Sequence, residues 1–310
     1  MIRVAAGQFA AVGDPVRAGY PRLVRTVAAG TPALLRWQLD PAVLLGVVAL
    51  TTLFGYGVRA ARRRGATVER SRVGYFAAAM LVMALALLSP IATLSEERFS
   101  VHMVEHLLLL FGTAPLLALS APVTLALQAA SGDVRRDVIL RALHSRPVRA
   151  VTHPVVAWVL FAAVMYASHF SALYDAALRS GPLHALEHFL YLTAAALFWW
   201  PVIRRDPVPG RFPWPARLLY LGLAMPYQSL LGLAIYSSDS PLYPEYLKHG
   251  TRDSVVDDQQ LAGALMWVVG DVLMLTAIGL AVLGWMRHES REERRVDAKL
   301  DALRAGRVDH

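Results

Sequence analysis

Apolar runs of helical length, parted by short polar or arginine-rich stretches, organise the chain from residue 41 to residue 286. "PAVLLGVVALTTLFGYGV" (Pro41 to Val58), "VGYFAAAMLVMALALLSP" (Val73 to Pro90) and the run from Val104 to Ser120 come first. Val155 to Phe170, Leu183 to Ile203, Ala216 to Tyr236 and Leu261 to Met286 follow. At about 1.5 Å per helical residue, each crosses or nearly crosses a hydrocarbon core of about 30 Å. The pattern predicts an all-α polytopic membrane bundle of about seven transmembrane helices over residues 39–287. It is flanked by a polar arm over 1–38 and a charged tail over 288–310. The arm has no continuous apolar core of the kind a secretory signal needs and reads as retained. The tail mixes charges at helical spacing, as a solvated helix does.

Composition agrees: 56% of residues are hydrophobic and the mean hydropathy is +0.43. The formal charge of +8 raises the question of a nucleic-acid partner, but the arginines form no single basic face. They alternate loop by loop. Arg59, Arg62, Arg63, Arg64, Arg70 and Arg72 follow the first span; Arg135, Arg136, Arg141, Arg146 and Arg149 the third; and Arg204, Arg205, Arg211 and Arg217 the fifth. The intervening loops are poor in cations. By the positive-inside rule this places the N-terminus outside and the C-terminal tail in the cytoplasm, although five arginines in the first forty residues pull the other way. A plasma-membrane protein embedded in a lipid bilayer is expected, with no nucleic acid. Cysteine is absent, so a bound metal would have to use His, Met or carboxylate.

With the sides assigned, the histidines fall unevenly. "HMVEHLLLL" (His102 to Leu110) carries an H-x-x-E-H pattern that "HALEHFLYL" (His184 to Leu192) repeats 82 residues on. His102 and His106 are expected to open the third span from outside, His184 and His188 the fifth, and His169 to close the fourth at the same level. Positions i, i+3 and i+4 share a helix face, so each pair of imidazoles and its glutamate, Glu105 or Glu187, project together. Two histidines at that spacing can grip one ion, and the glutamates can support a ligand from a neighbouring helix. Ionisable groups at membrane depth are costly, which makes the cluster a functional candidate. Asp258 and Met266 in the last span, and Met103 beside the first motif, are further candidates for support. Imidazole with thioether suits copper, and the same donors accept zinc or haem iron. H-x-x-E-H is also the pattern of inverted zinc proteases, but two copies at a membrane edge fit a hydrolase poorly. His144, His153, His249 and His288 are assigned no role, and Gly263 is expected to allow close helix approach.

Four stretches together, "HMVEHLLLLFGTAPLLALSAP", "SHFSALYDAALRSGPLHALEHFLYLTAAALFWWPV", "SSDSPLYPEYL" and "DDQQLAGALMW", resemble the CtaG family of cytochrome c oxidase assembly factors, the multi-span type associated with caa-type oxidases. The likeness covers roughly Pro41 to Met286. It implies a seven-helix protein without enzymatic activity of its own that matures a haem–copper oxidase, with oxidase subunits as partners and copper delivery or insertion as its role. The family's histidines match His102, His106, His169, His184 and His188. A copper importer and a haem-binding membrane protein are the competing expectations.

Overall fold

The computed structural model describes residues 37–207 and 212–308, so all but the last two residues of the arm over 1–38 lie outside the described residues. Among the described residues every regular element is helical. α1 (Pro41–Arg63) begins at Asp40, whose carboxylate accepts from the amides of Ala42 (2.7 Å) and Val43 (3.1 Å), with Pro41 at the first turn, where its missing N–H costs nothing. α2 (Arg70–Leu88) follows, then the short α3 (Pro90–Ser95), which Pro90 starts afresh behind a Ser89 cap. The third span is α4 (Phe99–Leu107), a π-helical turn (Leu108–Thr113) and α5 (Ala114–Leu119), continued past a corner by α6 (Pro122–Ala129). Short exposed turns over 134–151 lead to α7 (Pro154–His169) and α8 (Ala172–Arg179). α9 (Gly181–Ile203), α10 (Trp214–Tyr236), a 3-10 turn (Pro244–Lys248), α11 (Arg252–Ala264), a second π-helical turn (Leu265–Val269) and α12 (Gly270–Val308) complete the chain.

Six of these helical stretches are long and apolar enough to cross a membrane. The expected fourth span differs. α7 has 16 residues, about 24 Å at 1.5 Å each, and the chain turns by 66° where Ser171 caps the next helix. The count of seven holds when α7 and α8 are taken as one bent span. The tail is no separate element: α12 runs on past Met286 as exposed helix, so the boundary at residue 288 marks a change of composition within one helix. The chain is a multi-pass membrane protein, and its outermost helix, α1, turns Leu45, Val48, Leu53 and Tyr56 outward.

The ends of the bundle are built differently. At the arginine end, the corner between α5 and α6 puts Ala121 at φ 51°, a left-handed conformation unfavourable for a residue with a Cβ. Two buried charges hold it. Arg72 donates to the carbonyls of Ser120 (3.3 Å) and Ala121 (2.8 Å), and Asp206 accepts from the amides of Val123 (3.2 Å) and Thr124 (2.6 Å). A cation on outgoing carbonyls and an anion on incoming amides suit both helix dipoles. Arg72 therefore belongs to the packed corner, not to the loop where the charge pattern placed it, because its guanidinium gives Ser120 O a donor and Ala121 O one besides Leu125 N.

The π-helical turns at Leu108–Thr113 and Leu265–Val269 each have a carbonyl met by a side chain from a neighbouring helix. Trp199 Nε1 donates to Leu110 O (2.7 Å) and Gln228 Nε2 to Met266 O (3.0 Å). α10 and α11 cross at Gly232 and Gly263, where a Cβ on either glycine would fall under 3 Å from the other's carbonyl oxygen, as expected for Gly263.

Candidate metal centre

α4 and α9 both start at the end of the bundle opposite the arginines, so their identical motifs lie level and face each other. The His102 ring centroid is 5.9 Å from that of His184 and 6.4 Å from that of His188, and His106 is 6.3 Å from His188. Within the motifs the paired rings are 4.1 and 4.4 Å apart. The glutamates cross over. His102 and His106 form a three-donor group with Glu187, while His184 and His188 form one with Glu105, the donor atoms of each group lying within 4.8 Å of one another. Each motif thus supplies two imidazoles to one group and a carboxylate to the other.

Both nitrogens of His102 and His106 and both oxygens of Glu187 are buried with no protein partner. His188 Nε2 lies 2.8 Å from Glu105 Oε1, within ion-pair distance, while Glu105 Oε2 is buried without a partner. Buried polar atoms are nearly always partnered. Imidazoles and carboxylates whose donor atoms converge within 4.8 Å of one another suit a divalent cation.

The third span begins at Phe99, earlier than its apolar run, so His102 and His106 sit inside the helix rather than at its mouth. They are buried. α8 and the 3-10 turn close over them: Tyr174 lies 4.9 Å from the His102 ring, its hydroxyl 2.7 Å from that of Tyr246, which donates to Ser95 O (3.0 Å). Tyr243 donates to His169 O (3.0 Å), and Phe99 packs among all three tyrosines. Tyr191 stacks 4.1 Å from His106. The sequence reading named none of these tyrosines. Tyr191 was legible, three residues after His188 on the same face, whereas the tyrosines of "SSDSPLYPEYL" reach the site only through the fold.

His169 stands beside the His102, His106 and Glu187 group, its ring 6.2 Å from that of His106. Its Nδ1 is 2.7 Å from Met165 O, and a carbonyl only accepts, so Nδ1 carries the proton while Nε2, buried and unpartnered, presents a lone pair. Asp258 departs from expectation: it accepts from Ser100 N (3.1 Å) and Oγ at the start of α4, which occupies it as a cap rather than as support for a ligand. Met266 lies below the histidines, lining a cavity of about 20 Å³ with Met103, His106, Met165, His169 and Tyr191 among others. His144 and His288 stay at the far end, against Leu140 O and the Trp214 ring.

The chain is similar to several known proteins. Uncharacterized proteins of Mycobacterium bovis and Mycobacterium tuberculosis are each 30% identical over 277 residues, 86% of this chain and 42% of theirs. One of Mycobacterium leprae is 29% identical over 280 residues, covering 87% and 42%. The chain spans less than half the length of these relatives. No solved structure matches. The family model described as cytochrome c oxidase caa3 assembly factor matches residues 52–288, which contain both motifs and the tyrosine cover. The chain belongs to the cytochrome c oxidase caa3 assembly factor family.

Proposed function

We propose that the chain holds copper as cargo between its two crossed His-His-Glu groups and passes it to a subunit of a caa3-type oxidase in the plasma membrane. The carrying observation is the crossing itself: two helices pool four imidazoles and two carboxylates, and the nitrogens of His102 and His106 and the oxygens of Glu187 are buried with no protein partner. Imidazole and carboxylate hold copper firmly, and without a thiolate they release it by ligand exchange. Tyr174, Tyr243 and Tyr246 roof the groups, so loading and release would require α8 and the 3-10 turn to shift. No residue here is assigned a catalytic part.

A strain lacking the protein should make the oxidase polypeptides but assemble copper-poor enzyme of low activity. His106→Ala and Glu187→Gln should reproduce that defect while the variant protein still accumulates in the membrane. Normal oxidase copper and activity in the deletion strain would sink the reading.

A further inference from the structure

Beneath the two His-His-Glu groups, the donors change character. The cavity there is lined by the thioether side chains Met103, Met165 and Met266, three of the nine methionines in the chain, and by His106 and His169. No carboxylate lines it. Its oxygen atoms are largely spent: the Leu110 and Met266 carbonyls accept from Trp199 and Gln228, the Tyr227 hydroxyl donates to Ala162 O, and the Tyr191 hydroxyl is paired with Ser168. What stays uncommitted is soft: three buried sulfurs, the outward nitrogen of His169, and His106, both of whose nitrogens lack a partner.

Methionine alone is ordinary core filling. Here, however, the methionines share a cavity with two buried imidazoles, and two π-helical turns contribute lining residues to it, Leu110 and Phe111 from one and Met266 from the other. Neutral thioether and imidazole donors favour a soft monovalent cation, whereas divalent ions select the carboxylate-bearing groups above. We infer that this cavity is a second, soft-cation site for Cu(I) or Ag(I), held by Met103, Met165, Met266 and His169 and adjoining the upper groups through His106. The inference deepens the cargo reading, because His106 is common to both levels.

The test uses full-length protein in detergent and two separate probes. Ag(I), which is redox-silent, reports the lower site, and Zn(II) reports the upper groups. Wild type should retain Ag(I), with sulfur neighbours in its X-ray absorption spectrum. Retention should fall about tenfold or more in Met165→Leu/Met266→Leu, a volume-conserving pair of changes, while Zn(II) retention is unchanged. Met83→Leu, in the separate apolar cluster against α1, should alter neither probe. Failure of wild type to retain Ag(I), or retention that ignores the methionine changes, overturns the lower site. Loss of the upper reading looks different: Zn(II) is then not retained, or is retained equally in Glu187→Gln, while the Ag(I) arm remains readable.

Discussion

Glu105 and Glu187 occupy the same place in two copies of one motif, yet their surroundings differ. Glu105 touches His188 through one oxygen, whereas Glu187 has no protein partner for either. If each completes the opposite histidine pair, Glu105→Gln and Glu187→Gln should each remove about one equivalent of bound Zn(II) per chain or weaken it roughly 10–100-fold, leaving the other equivalent in place. Equilibrium dialysis with metal analysis reads this directly; joint loss of both equivalents from either change would mean one shared ion instead. The phenols of Tyr243 and Tyr246, in the loop outside the spans, are held above the ordinary phenol range by burial. Above about pH 10 the unfolded chain therefore releases protons that the folded one keeps, and stability falls as pH rises. Tyr246→Phe should flatten that alkaline slope in thermal unfolding. At neutral pH it should cost about 1–3 kcal/mol, because Tyr174 loses its hydroxyl partner.

The helices depend on a few close contacts whose chemistry is not local. At the crossing of α10 and α11, Gly263→Ala would drive a methyl to 2.6 Å from Gly232 O and from Tyr236 N, both backbone atoms that cannot swing away. The expected loss is about 1–3 kcal/mol, measurable as a lowered thermal midpoint in detergent. Arg72→Leu should act at the other end by leaving the Ser120 carbonyl without its donor, at about 1–3 kcal/mol, and the Ala121 carbonyl with Leu125 N alone. Because Ala121 is held in a left-handed conformation, that change should also loosen α6. Faster amide exchange confined to 122–129 would report it, and uniform exchange would refute the corner's role. The corner contacts explain why two charged residues, Arg72 and Asp206, are buried far from the histidines.

Across the whole molecule, the two ends have separate chemistries: buried donors and a tyrosine roof at one, arginines at the other. A cytoplasmic arginine end, next to anionic headgroups, would account for the charge of +8 and leave the histidine end facing outward, where extracytoplasmic oxidase domains lie. Single cysteines at Asp253 and Arg146, both exposed, test the orientation. A membrane-impermeant thiol reagent applied to intact cells should label the Asp253 site and spare the Arg146 site. The opposite labelling would turn the centre toward the cytoplasm and rule out the proposed outward copper delivery.

The sequence by itself determined the helices and the spacing within each motif, because apolar run length and the i, i+3, i+4 geometry are properties of a single segment. It also marked His102, His106, His169, His184 and His188 as one level, since alternating spans bring the same end round every second time. It could not say that Glu105 belongs with His184 and His188 while Glu187 belongs with His102 and His106. That exchange exists only once α4 and α9 pack in parallel, and no local pattern encodes which helices become neighbours. The same limit explains Asp258, whose carboxylate looked available until Ser100 was brought against it, and Tyr174, Tyr243 and Tyr246, which became a roof only when α8 folded over by 66°. Helices follow from each segment's own hydrogen bonds and transfer energies, but the pairing of donors follows from packing, which depends on all segments at once.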